Sequence, residues 1–281
     1  MGVNDAGALR YYGEHPIVDL IGLTTNGLAE PYRNGMGSLY EALERMEPGE
    51  RPDYFVIYPY SEWVGDLANS GVFGNEPLQS FVLTRSTAVT GGEVVSAFKA
   101  DWALARSGDL SRSGGFPEGT PQGRVRDTLD VADLESEREH DHEIRMVQIG
   151  LQPDSLLRRG SYPNGGRVAD GGRRITGDES FTARNLTPGR PLTIVMRTSA
   201  TEPTEPTGEP PVLRVSVDGR DAGEWDFRAT GGGGPGGDWQ EPSFTVPAEL
   251  VRSASVRIEL LSFGRHAPYG SHAPFHYWFV Q

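Results

Sequence analysis

The stretch Val212-Leu-Arg-Val-Ser-Val217 alternates apolar and polar side chains, and Ser255-Val-Arg-Ile-Glu-Leu260 repeats the pattern. Successive side chains of a strand point to opposite faces, so each stretch presents one apolar and one polar face. That is the pattern of a half-buried antiparallel strand. Further strand-like runs lie nearby: Ile144 to Ile149, Ser180 to Arg184, Leu192 to Thr198, Glu224 to Arg228, Ser243 to Val246 and Phe275 to Val280. Turn residues separate them, and helix signals nearly vanish. Roughly eight strands over this length predict a two-sheet β-sandwich of jelly-roll type. Two segments, Thr201 to Pro211 and Gly231 to Gly237, are too polar or too glycine-rich to pack a core and read as loops.

The first hundred residues read differently. Asn4-Asp-Ala-Gly-Ala-Leu-Arg-Tyr-Tyr-Gly-Glu-His-Pro-Ile-Val-Asp-Leu-Ile-Gly-Leu-Thr-Thr-Asn26 has the layout of the second half of a βαβ unit. Asn4 and Asp5 are N-cap types, Gly13 ends the helix, and Pro16 bars it from resuming. The run from Ile17 to Leu23 reads as a strand. Only Gly2 and Val3 remain for the strand that should precede the helix. The expectation is therefore a missing first strand, an unpaired sheet edge, and exposed apolar surface around Val18, Leu20 and Val56. Ser38 to Met46 has helical spacing with Ser38 as N-cap type, and Trp63 to Leu67 reads as a short helix. Asp53 to Pro59 reads as a buried strand. Phe81 to Arg85 and Val94 to Trp102 read as strands joined at Gly91-Gly92. Alternating elements predict an incomplete Rossmann-like α/β layer with a mainly parallel sheet. No G-x-G-x-x-G follows a strand, so a dinucleotide site is unsupported. The predicted organisation is an α/β domain over 1–106, a linker over 107–126 rich in Gly, Ser, Pro and Arg, and a β-sandwich over 127–281.

Composition narrows the function. The 281 residues carry 39 Asp and Glu against 26 Lys and Arg, a formal net charge of −13, which argues against nucleic acid as a partner. The absence of cysteine removes disulfides, thiolate zinc sites and thiol nucleophiles together. Met1 is not followed by a signal-peptide pattern, and no apolar run approaches the ~20 residues that span a bilayer.

The densest polar cluster runs from Asp127 to Glu143. Asp130, Asp133, Glu135 and Glu137 offer hard oxygen ligands suited to a structural calcium, although the spacing is not that of an EF-hand loop. The bland counterpart is a solvated acidic turn with Ser136-x-x-Glu139 as a capping box. His140 and His142 are two apart and would share one face of a strand; His266, His272 and His276 form a second group. Trp225, Trp239, Tyr269 and His276 are the candidate carbohydrate-binding residues, because sugars stack C–H faces on aromatic rings while polar groups bond the hydroxyls. The bland counterpart for these aromatics is core packing. Arg173 and Arg174 could clamp an anion, but the glycines around them are better explained as hairpin turns. No G-x-S-x-G is present, and no catalytic residue is assigned.

The pattern Asp5-Ala6-Gly7-Ala8, Tyr11-Tyr12, Pro16, Val18-Asp19-Leu20 and Gly22-Leu23 resembles a segment of bacterial multi-spanning membrane glycosyltransferases. Those enzymes use polyprenyl-phosphate sugars and are related to the protein mannosyltransferases. The resemblance implies the soluble extracytoplasmic region of such an enzyme, joined to the membrane only through a missing upstream part. Its catalytic carboxylates lie near the start of the membrane region, to which nothing here corresponds. The terminal sandwich resembles galactose-binding and carbohydrate-binding modules. Together these imply a non-catalytic accessory region that binds or positions a glycan or a protein acceptor. The alternatives are a self-standing secreted or surface carbohydrate-binding protein, a hydrolase using Glu137 and His140, and a sandwich that binds nothing.

Overall fold

The computed structural model describes residues 1–60, 64–82, 92–109, 123–146, 155–162, 165–199, 212–227, 238–261 and 271–281. It divides into two compact units. The first comprises 1–107, 155–159 and 169–171; the second comprises 108–154, 160–168 and 172–281.

The first unit opens with strand β1 (Gly2–Val3), helix α1 (Gly7–Tyr12) and strand β2 (Val18–Asp19). Helices α2 (Ala29–Arg33) and α3 (Met36–Glu44) follow, then strands β3 (Tyr54–Ile57), β4 (Gln79–Val82) and β5 (Val94–Lys99). The sheet order is β2-β1-β3-β5-β4. Gly2 and Val3 therefore form a short inner strand, parallel to β2 on one side and β3 on the other. The sheet edge expected to be open there is paired on both sides, and Leu20 is fully buried rather than exposed. The sheet is also mixed rather than mainly parallel, since β5 runs antiparallel to both β3 and β4. Leu20, Leu39, Leu43, Phe55, Ile57 and Leu67 lead its apolar core. The N-cap of helix α3 is Gly35 rather than Ser38; Gly35 adopts φ +102°, and a Cβ there would lie 2.7 Å from the Ser155 nitrogen, so only glycine suits the position.

The second unit begins with β6 (Val125–Asp130), helix α4 (Leu134–Glu139) and β7 (Glu143–Met146). Next come β8 (Ser155–Ser161) and β9 (Arg167–Arg173), which pair with each other and whose residues divide between the units. The remaining strands are β10 (Ile175–Ala183), β11 (Leu192–Ser199), β12 (Val212–Val217), β13 (Arg220–Asp226), β14 (Trp239–Gln240), β15 (Ser243–Val246), β16 (Val256–Leu261), β17 (Ser271–His272) and β18 (Pro274–Val280). Two sheets result. One has the order β13-β12-β16-β10-β17, with β7 also paired to β10. The other has the order β14-β11-β18-β6, with β15 paired to β11. The chain is mostly strand, and this unit is a β-sandwich. Its core joins Phe181, Val215, Ile258 and Leu260 of the first sheet to Leu129, Ile194, Met196 and Phe279 of the second. Strand β10 shows why the two faces differ: its nine residues alternate buried and half-buried from end to end. One face packs the core and the other meets solvent.

Residues 125 and 126, expected in a linker, already belong to β6, while 110–122 lie outside the described residues. The loop segments 201–211 and 231–237 also lie outside them. Among the described residues no helix is long and apolar enough to cross a membrane.

Candidate functional site

The inward face of β10 carries an ionic residue where the alternation would place a core side chain. Glu179 is fully buried and accepts three hydrogen bonds. His142 Nε2 donates to Oε1 at 2.8 Å, His272 Nε2 to Oε2 at 2.7 Å, and the Tyr277 hydroxyl to Oε2 at 2.7 Å. His142 in turn sets its Nδ1 3.3 Å from Glu137 Oε1. Arg173 grips the same carboxylate in a fork, Nε to Oε1 at 2.5 Å and Nη2 to Oε2 at 2.8 Å. The Ala132 backbone N–H adds a bond to Glu137 Oε1 at 3.0 Å. Both ring nitrogens of His142 therefore face carboxylates, which requires a proton on each. Two cations, Arg173 and His142, alternate with two anions, Glu137 and Glu179.

The acid–base chemistry follows from this geometry. Burial by itself would lower the His142 value, but hydrogen bonds to Glu137 and Glu179, with their charges, raise it to about 9. Burial would raise Glu137 and Glu179. Hydrogen bonds from His142 and Arg173 hold Glu137 at about 2, and those from His142 and His272 hold Glu179 at about 2. Burial and the nearby Glu179 charge push the Tyr277 phenol well above its ordinary range, so it remains a donor.

On the opposite face of the same strands lies an open depression of about 280 Å³. Its lining comes from three neighbouring strands: Glu143, Ile144 and Arg145 of β7; Asp178, Glu179 and Ser180 of β10; Glu259 and Leu261 of β16. The register sets Arg145 opposite Asp178 and Glu143 opposite Ser180, with Ser180 also opposite Glu259. Arg257 donates to Glu143 Oε2 at 2.9 Å and to Ser180 Oγ at 2.7 Å. The Ser216 hydroxyl bonds Glu259. Carboxylates, a guanidinium and a hydroxyl thus meet solvent beside one apolar side chain, Leu261.

The residues singled out from sequence take other places. Asp133 is the N-cap of α4, its carboxylate accepting from the Glu135 and Ser136 backbone at 3.1 and 3.4 Å. The helix consequently starts three residues earlier than a cap at Ser136 would allow. Ser136 instead donates from the backbone to Asp133 and bonds the Asp130 N–H through Oγ at 2.9 Å. Glu137 is committed to Arg173 and His142, Glu135 is exposed, and Asp130 is buried. These four carboxylates are not brought together as a ligand set. Trp225 lies in the sandwich core against Phe227 and Phe244. Trp239 is buried against Phe275, with Arg197 5.8 Å from its ring centre. His276 is buried, its ring 4.5 Å from Trp278 and its Nδ1 3.7 Å from Asp130. None of these three presents a ring to solvent, and Tyr269 lies outside the described residues. His140 and His142 do not share a partner: His140 turns to Asp127 at 3.3 Å. The lining of the depression went unnoticed in the sequence, although the alternation in β16 already set Arg257 and Glu259 on the solvent face.

Comparison with known proteins adds the following. The model of a domain of unknown function, DUF8728, matches residues 1–123. Among curated proteins none matches. Similar solved structures include a family 35 carbohydrate binding module from Clostridium thermocellum, 12% identical over 45% of this chain and 91% of that one, with a TM-score of 0.26. The tandem CBM51 modules of a family 98 glycoside hydrolase from Streptococcus pneumoniae are 11% identical over 55% of this chain and 48% of theirs, at 0.32. The ANX1 ectodomain from Arabidopsis thaliana is 10% identical over 70% of this chain and 60% of its own, at 0.35. No ligand or site is carried over from any of them.

Proposed function

We propose that the second unit is a non-catalytic glycan-binding sandwich whose site is the depression between β7, β10 and β16. The observation that carries this is the mixed lining. Sugar hydroxyls donate and accept, and a sugar ring has an apolar C–H face. Glu143, Asp178 and Glu259 supply acceptors, Arg145 supplies donors, Ser180 supplies a hydroxyl, and Leu261 supplies an apolar surface. The volume of about 280 Å³ falls just below the ~300–1,000 Å³ range of drug-sized pockets, which limits the occupant to about one ring. The chain's net charge of −13 and the three carboxylates select against phosphorylated ligands. No histidine lines the depression, and Ser180 Oγ already accepts from Arg257, so no serine–histidine pair is assembled there.

The test is a glycan array followed by calorimetry on the hit, comparing wild type with Glu259→Ala and Arg145→Ala. The expected result is at least a tenfold weaker affinity in each variant, with unchanged melting temperature. No array hit, or a hit indifferent to both substitutions, overturns the proposal.

The wider proposal is that the chain serves a membrane glycosyltransferase as an accessory region, placing a glycan or protein acceptor on the extracytoplasmic side. Its support is the Asp5 to Leu23 resemblance. The genomic sequence 5′ of the Met1 codon tests it. A continuous frame encoding many membrane helices favours it; a frame encoding only a signal peptide favours a self-standing glycan-binding protein.

A further inference from the structure

The depression has one weak wall. Among the described residues β7 pairs with β10 alone, over four residues, whereas β10 is also backed by β16. On its solvent side β7 is tied by Arg257 to Glu143, an ion pair whose side chains are 31% and 75% exposed. Exposed pairs of this kind hold little. On the inner side, the residue just before β7 is His142, whose side chain is only 1% exposed and which reaches Glu137 of α4 and Glu179 of β10 at once. Its backbone N–H also bonds the Glu137 carbonyl at 2.9 Å. Breaking a buried, paired charge leaves its partner uncompensated, so this inner tie is the strong one.

We propose that His142 is the positioning residue of the depression: bridging Glu137 and Glu179, it holds β7 against β10 and so keeps Glu143 and Arg145 opposite Ser180 and Asp178. Release of β7 removes one side of the lining and with it ligand affinity. The proposal rests on the depression being the ligand site, but the clamp itself can be tested without a ligand. The charged and titratable groups around His142 are Glu137 on α4 and Glu179 on β10. Behind them stand Arg173 on β9, His272 on β17 and Tyr277 on β18. Of the neighbours on its own segment, Asp141 is held by Arg184 at 2.9 Å and Glu143 by Arg257. The Phe181 ring, 6.4 Å away, closes the apolar side. Burial opposes the charge on His142, and the two carboxylates restore it.

The experiment follows backbone amide exchange in the whole chain from pH 6 to pH 10, corrected for the intrinsic rate, in wild type, His142→Gln and Glu137→Gln. In wild type, protection of 143–146 should fall at least tenfold with a midpoint near pH 9, while β11 and β18 stay protected. In Glu137→Gln the midpoint should move down by about one pH unit or more, because one of the two flanking carboxylates is gone. In His142→Gln protection of 143–146 should be low at pH 6 and show no such midpoint. If that variant fails to fold, Glu137→Gln and wild type decide alone. Loss of protection in β7 only together with β11 and β18, or a β7 that stays protected to pH 10 in wild type, overturns the clamp. Ligand affinity measured at pH 7 and pH 9.5 on the array hit then links the clamp to the site. A tenfold loss at the higher pH supports the link, and equal affinity refutes it. Absence of any ligand refutes the glycan site and leaves the exchange result standing on its own.

Discussion

Replacing Glu179 by glutamine removes one buried negative charge while keeping the side-chain shape. The carboxylate takes three donors, from His142, His272 and Tyr277, at 2.7–2.8 Å. An amide has one oxygen and an NH2 group, so at least one of these donors would face another donor. His142 would keep Glu137 but lose its second anion, and the alternation of charges would end with an excess cation. Removing one member of a buried pair costs ~3–5 kcal/mol. The drop of the Glu179 value from 4.5 to about 2 corresponds to roughly 3 kcal/mol at about 1.4 kcal/mol per pH unit. For a unit of this size each kcal/mol shifts the melting temperature by about 2–4 °C, so Glu179→Gln should melt roughly 10 °C lower at pH 6. Urea unfolding followed by tryptophan fluorescence gives the free energy directly, with Tyr277→Phe as control. Removing that one donor to a charged acceptor should cost about 1.5–3 kcal/mol, less than loss of the carboxylate itself. A loss below about 1 kcal/mol for Glu179→Gln would refute the reasoning, because the buried network would then be worth no more than an exposed ion pair.

Other outcomes follow from the same structure. His142 is raised from 6.5 to about 9 in the folded state, so its stabilisation is full below pH 6.5 and lost as pH rises through about 9. Glu137 and Glu179 are lowered from 4.5 to about 2, so theirs is present above pH 4.5 and lost as pH falls toward 2. Melting temperature scanned against pH should therefore peak between about pH 4.5 and 6.5, and Glu179→Gln should blunt both flanks. Asp133→Ala removes the α4 cap and should cost about 1 kcal/mol in the second unit by chemical denaturation. Gly35→Ala forces a side chain into φ +102° with its Cβ 2.7 Å from the Ser155 nitrogen, and should destabilise the first unit by about 1–3 kcal/mol.

Strands with one wet face were legible from sequence because period-2 alternation carries the information locally. Val212–Val217 and Ser243–Val246 fall where the pattern places them, and Val256–Leu261 differs by one residue. The continuous apolar runs of β11 and β18, buried on both faces, were legible as well, whereas two strands rich in aspartate or glycine were not. Strand β6 contains Asp127, Thr128 and Asp130, and β9 is Arg-Val-Ala-Asp-Gly-Gly-Arg, which reads as a turn because glycine and aspartate are poor strand formers. Their pairing with β18 and with β8, respectively, overrides that local preference. In the first unit Gly2 and Val3 are too few to signal a strand, yet partners on both sides fix them. Hairpin geometry also explains the mixed sheet. Strands β4 and β5 are consecutive in the chain and pair antiparallel, the arrangement open to short connections.

The same contrast accounts for the site residues. Pro274-Phe-His-Tyr-Trp-Phe-Val280 is aromatic at most positions, a composition shared by sugar platforms and by strands buried on both faces. Every residue of β18 is buried, Tyr277 and Phe279 toward the sandwich core and Trp278 and Val280 with Val195 in a second cluster, so no ring of this strand faces solvent. The acidic run from Asp127 to Glu143 had the opposite fate. Read as a solvated or calcium-binding surface, it contributes Glu137 and His142 to the interior, because cations and anions distant in sequence, Arg173 and Glu179, arrive to balance them. Sequence spacing carries no signal for that balance, since 36 and 37 residues separate the paired groups. A charge cluster therefore cannot be assigned to a surface until the charges that meet it are known. Here the groups left facing solvent are Glu143, Arg145, Asp178 and Glu259. They are immediate or near neighbours of residues that turned inward, because β10 alternates strictly and commits Glu179 to the core only by committing Asp178 and Ser180 to the depression.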